Sequence, residues 1–253
     1  MSDGVKTRHP EYQARSEQWA IMRDVIEGED AIKKGEDKYL PRQLSANSKF
    51  DMYEEMQYQS FMKRTHFADY TAQIADCLHG MIENLPANID VPKELKTKGI
   101  LKNIDYQGNS ADQFFSDVLR DVLITGFGGI LVDAPDVNPN ISVGLAEKLN
   151  IHPYFAYYKA ESIINWKYKY VGGVKKLVLV VLEENVEDAE DEFSHKTSKQ
   201  YRVLKLNDEN QYVHEIHKVV KTDEGENIEI LNSRPVTVQN KTLDYIPFIM
   251  LPF

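Results

Sequence analysis

The stretch from Asn109 to Asp136, NSADQFFSDVLRDVLITGFGGILVDAPD, limits this chain's fold more than any other. It reads as one helix, a glycine turn and one buried strand. Ser110 is placed to cap the free amides of the first helical turn, and Gln113 is spaced to reach back to the cap's own amide in a capping box. Phe114, Phe115, Val118, Leu119, Val122 and Leu123 then recur at helical spacing with one broad apolar face. Gly126, Gly128 and Gly129 follow where backbone must turn left-handed or pack closely. Ile130, Leu131 and Val132 form a short apolar strand, which expects cover on both faces. Asp133, Pro135 and Asp136 end it.

Glycines beside an apolar strand that ends in aspartate suggest a nucleotide site, but the order is wrong. A phosphate loop sets its glycines between a strand and the next helix N-terminus, followed by Lys and Ser or Thr. Here they follow a helix and lead into a strand. Glycine at a helix C-terminus is the ordinary reading.

Length and charge bound the rest. The 253 residues suffice for one large domain or two small ones. Apolar content of 42%, charged content of 28% and a mean hydropathy of -0.48 describe a folding chain with several solvated segments. A net charge of -10 opposes nonspecific DNA coating, because phosphate contacts need local Lys and Arg. A conduit past which DNA slides is compatible with it. There is no apolar leader segment at MSDGVKTRHPEYQ and no run of the length needed to span a membrane.

In chain order, residues 1 to about 14 are expected to be mobile. Trp19, Met22 and Ile26 mark a helix from about Arg15 to Gly28, and Glu27 to Lys38 reads as a solvated helix pair or loop. Met52, Tyr53, Met56 and Phe61 mark another helix. Phe67, Tyr70, Ile74, Cys77, Leu78, Met81 and Ile82 mark a longer one, with its apolar face expected in the core. The polar tips of Tyr53, Tyr58 and Tyr70 also suit faces that meet another subunit. LPANIDV, Leu85 to Val91, breaks the pattern and divides a helical region, 1–85, from an α/β region, 86–253.

From there the signals are strands. Leu145 to Ile151 is a connection, His152 to Tyr158 is extended, and AESIINW leads into Lys167 to Tyr170. Gly172 and Gly173 turn the chain into Val174 to Leu182, the strongest strand signal. Glu183 to Glu192 reads as an exposed acidic loop. QYRVLKL, YVHEIHKVV and IEIL, separated by turns at Asn207–Asn210 and Asp223–Asn227, are spaced as an antiparallel meander. The uncharged end, Ile246 to Phe253, requires cover from the meander or from further chain.

Candidates for chemistry are sparse. His214 and His217 lie three apart on a strand, which points them to opposite faces and away from a shared ion. His66 and His79, both read on the long helix, are not helical neighbours. Cys77 cannot pair internally and reads as a buried small hydrophobe. Asp133 and Asp136 are the one carboxylate pair worth testing, as turn residues or as the acids of a hydrolase. No set of catalytic, cofactor-binding or metal-binding residues emerges, and the expectation is a protein that is not an enzyme.

Several local signatures together resemble the N-terminal half of tailed-bacteriophage portal proteins, the head-tail connectors. They are HPEY at His9–Tyr12, WAIMRDVIEGEDAIKK at Trp19–Lys34, KYLPR at Lys38–Arg42, GGILVDAP at Gly128–Pro135, PYFAYYKAESIINW at Pro153–Trp166 and YIPF at Tyr245–Phe248. The resemblance implies an α+β fold, N-terminal helices followed by a mostly antiparallel β-sheet as in a portal wing, with the stem and clip of longer portals absent. It implies a ring, usually dodecameric, at a capsid vertex of phage or prophage virions, assembled in the host cytoplasm. Implied partners are further copies of itself, the terminase large subunit, capsid and scaffold proteins, a tail adaptor, and DNA passing through without sequence-specific binding. The end at Phe253 leads us to expect poor ring closure by these 253 residues. A capsid-associated adaptor or scaffold-binding protein remains the alternative, and an Asp133-dependent hydrolase the weaker one.

Overall fold

A computed structural model describes residues 4–42, 52–85, 89–92, 99–135, 144, 151–187, 195–222, 225–238 and 241–252. The architecture is α+β: N-terminal helices precede antiparallel sheets of three and five strands. The helices are α1 (Pro10–Glu27), α2 (Glu29–Lys34), α3 (Met52–Arg64), α4 (Tyr70–Glu83) and α5 (Ala111–Thr125). The strands are β1 (Phe127–Asp133), β2 (Tyr154–Lys159), β3 (Ile163–Val171), β4 (Val174–Glu187), β5 (Thr197–Leu206), β6 (Tyr212–Thr222), β7 (Gly225–Pro235), β8 (Thr237–Val238), β9 (Lys241–Thr242) and β10 (Phe248–Pro252).

α5 and β1 form the expected unit. Ser110 Oγ accepts from the Gln113 amide at 3.2 Å, and Gly126 closes the helix in left-handed backbone at φ 68°. The reciprocal half of the capping box is missing, because the Gln113 amide nitrogen turns forward to Asp117 at 3.0 Å. The turn is Gly126 alone. Gly128 and Gly129 lie inside β1, where a Cβ would stand 2.6 Å from the Tyr157 hydroxyl or 2.3 Å from Phe248 Cζ. Their role is close approach by neighbouring side chains.

β1 is the centre of the three-stranded sheet, between β10 and β2. The two-residue period of a strand then divides its side chains between two layers. Ile130 packs with Ile104, Ala111, Phe114, Val118 and Val122 under α5. Phe127 and Leu131 face the other way, into a core with Trp19 of α1 and Val180, Leu182, Val203 and Leu204 of the larger sheet. The apolar C-terminal run belongs here: Phe248 pairs with Leu131, and Ile246 and Phe248 are buried.

The larger sheet is the predicted meander, β3-β4-β5-β6-β7 in sequence order. Gly172 and Gly173, at φ 58° and 82°, make the two-residue turn between β3 and β4. One boundary was wrong. Glu183 to Glu187 do not begin a loop but extend β4, paired with Thr197–Tyr201 of β5. Residues 188–192 of the predicted loop, like Asp136 and most of the predicted Leu145–Ile151 connection, lie outside the described residues.

The N-terminal half departs more. α1 begins at Pro10, not near Arg15: His9 caps it, its Nδ1 accepting from the Glu11 amide at 3.2 Å, with proline in the first turn. Tyr12, expected to be mobile, is buried. Ala31 and Ile32 of α2 are buried as well. α4 begins at Tyr70, so His66 and Phe67 precede it. Its apolar residues do not enter the core: Tyr70, Ile74, Leu78, Met81 and Ile82 are exposed, and so is Cys77. The helix instead sets small and polar residues against α5. Arg120 of α5 donates to Asp76 at 2.8 Å, and the Ser116 hydroxyl meets both Glu83 and, at 3.2 Å, His79 Nε2. Among the described residues no helix is long and apolar enough to cross a membrane.

Candidate functional site

Asp133, the carboxylate singled out from sequence, ends β1 on the side that faces the larger sheet. Its Oδ1 accepts from the Ala134 amide at 2.9 Å, a turn contact. Its Oδ2 accepts from Arg202 Nη1 of β5 and from the Tyr154 hydroxyl, both at 3.3 Å. The aspartate is therefore a turn residue and an ion-pair partner together.

Arg202 organises the surroundings. Its Nε donates to Glu184 Oε1 at 2.6 Å, and its Nη1 lies 3.1 Å from His214 Nε2 on β6. Glu184 also accepts from the Tyr158 hydroxyl and from Gln200 Nε2, each at 2.6 Å. Sheet geometry explains the convergence. Glu184, Gln200, Arg202 and His214 occupy one face of the larger sheet by register, while Asp133, Tyr154 and Tyr158 occupy the facing side of the smaller one. Burial alone would raise the Glu184 pKa, but Arg202 and the hydrogen bonds outweigh it and hold it below the usual carboxylate value. Burial pushes the Tyr158 hydroxyl upward, so it remains a donor.

A second constellation clamps the other end. Arg23 of α1 pairs with Asp121 of α5 and, at 2.8 Å, with Glu161. Tyr157 donates to Asp121 at 2.7 Å, passing over the space left by Gly128. Trp19 Nε1 donates to the Thr125 carbonyl at 3.0 Å, satisfying one of the free acceptors at the end of α5.

The histidines divide as their strand spacing requires. His214 faces Arg202, whereas His217 lies 3.0 Å from Glu215 on the opposite face, where Lys205 and the Ser233 hydroxyl also reach that buried acid. His66 meets Glu29 at 2.7 Å and His79 meets α5, so this pair is not brought together either.

Such an arrangement holds surfaces together. Every carboxylate oxygen of Asp133 and Glu184 has a donor, and the guanidinium blocks approach to both acids. A cleft of about 280 Å³ nearby, between β2 and the start of α5, is lined by Asp105, Asp117 and aromatic side chains and has no Lys or Arg, the reverse of a phosphate pocket. Sequence reading found Asp133 but missed Arg202 and Glu184. An arginine flanked by Tyr201 and Val203 within an apolar strand was the available signal; Glu184 was hidden in an acidic run. No protein-family model matches the chain, and no curated protein does.

Proposed function

We propose that this chain is part of a portal, the head-tail connector ring of a tailed bacteriophage or prophage. The observation that supports it is the meeting of the resembling segments in space. His9 of HPEY stacks on Trp166, the last residue of PYFAYYKAESIINW, with ring centroids 4.0 Å apart. Phe127, preceding GGILVDAP, lies 5.7 Å from Trp19 and 5.2 Å from Trp166. Phe248 of YIPF covers Gly129, and Tyr39 of KYLPR donates to Asp24 of α1. Segments up to 239 positions apart in sequence numbering, His9 to Phe248, thus build one body. The order of helices before antiparallel sheet agrees with a portal wing.

The remaining surface suits assembly better than catalysis. Exposed Tyr53, Met56, Phe61 and the α4 residues give two helices apolar faces open to a partner, while the acids of greatest catalytic interest are tied to Arg202. Expressed at its full length, the gene product is expected to form one large closed oligomer in light scattering. A monomer that instead binds a preformed ring indicates an adaptor. Nucleotide hydrolysis with turnover, lost in Asp133→Asn, indicates a hydrolase.

A further inference from the structure

α4 is amphipathic in the reverse of the usual sense. Ala72, Asp76, His79 and Glu83 turn toward the body, where Asp76 pairs with Arg120 at 2.8 Å and the Ser116 hydroxyl meets His79 and Glu83. Tyr70, Ile74, Leu78, Met81, Ile82 and Leu85 point outward, each between 45% and 78% exposed. We propose that this outward stripe docks a second copy of this chain.

The stripe is too large to be incidental. Its six side chains offer on the order of 700 Å², near the roughly 800 Å² that each partner gives to a stable interface, and above what monomers usually leave open. Tyr70, Ile74, Cys77 and Met81 follow one another at spacings of four, three and four, the seam of a helix that packs on another helix. Its occupant is therefore a helical, apolar protein surface.

Charge points to a second copy. Two chains of net charge -10 repel unless they meet where neither carries charge. α4 provides that place, because its acids, Asp76 and Glu83, are on the inward side. A lipid surface fits poorly: helices lying in a membrane interface carry Lys or Arg along the polar face, and Tyr70–Glu83 has neither. Nothing here depends on the portal reading.

Cys77, exposed beside the stripe, is a built-in reporter. In the full chain, average mass in light scattering should rise with concentration, and labelling of Cys77 by a maleimide should slow by about tenfold or more as mass action fills the face. The variant Ile74→Glu/Met81→Glu should stay monomeric and label rapidly at every concentration, with an unchanged melting temperature because both side chains are solvent-facing in one copy. A mass that rises while Cys77 labelling stays constant would overturn the proposal, since copies would be meeting elsewhere, and would leave the portal reading intact. A wild-type chain that is monomeric throughout would overturn it too, as would a variant that melts early, which would mean the stripe packs internally. Protection of Cys77 by anionic vesicles, without any rise in protein mass, would assign the face to lipid and overturn it equally.

Discussion

Arg202 of β5 donates to Asp133 of β1 at 3.3 Å, joining the two sheets through a guanidinium that also holds Glu184 at 2.6 Å. Removing the cation leaves two partly buried carboxylates facing each other's field. Arg202→Met should therefore cost about 3–5 kcal/mol in chemical denaturation, whereas Asp133→Asn, which keeps a hydrogen-bonding side chain, should cost about 1 kcal/mol. The double change Arg202→Met/Glu184→Met should be less damaging than Arg202→Met alone, because no uncompensated acid remains beside the new side chain.

The same pair makes acid stability predictable. Glu184 and Glu215 both have folded-state pKa values below the ordinary carboxylate value, Glu184 mainly through Arg202 and Glu215 through Lys205, His217 and Ser233, in each case against burial. A lowered folded value means the stabilisation is present above the unfolded pKa and is lost as pH falls through the folded one. Melting temperature should decline below about pH 4.5. Glu184→Gln should be less stable at neutral pH but lose less on acidification, and an equally steep decline in that variant would assign the acid limb to other groups.

Packing around β1 gives a steric prediction. A Cβ at Gly129 would lie 2.3 Å from Phe248 Cζ and 3.1 Å from Ile163 Cδ1. Gly129→Ala should destabilise by about 1–3 kcal/mol through overpacking. Phe248→Leu in the same chain should recover part of that loss, and a double-mutant cycle in urea that shows no coupling would contradict the close approach.

Asp133 should bind no essential metal, since Ala134, Tyr154 and Arg202 already donate to it. Calorimetric titration with magnesium, manganese or zinc should give no saturable heat, and no rise in melting temperature. Micromolar binding abolished by Asp133→Asn would reverse this assignment.

Local signals were the legible ones. Gly172–Gly173 marked a hairpin because backbone conformation decides it within two residues, and Ser110 and Gly126 bounded α5 for the same reason. The Arg202–Asp133 contact spans 69 positions and leaves no local trace. The run Glu183–Glu192 concealed Glu184 because like charges read as solvated, whereas one arginine on the neighbouring strand suffices to bury this acid. α4 shows the other limit: periodicity reveals that Tyr70, Ile74, Leu78 and Met81 share a face, but not whether that face meets this chain's core. Cys77 was placed inside by that inference and stands outside.

The portal proposal is tested most directly by electron microscopy of the full-length gene product. The account predicts closed rings of one copy number with an axial channel, built by head-to-tail contacts that fix a single rotation angle between subunits. Monomers under every salt condition tried would contradict it.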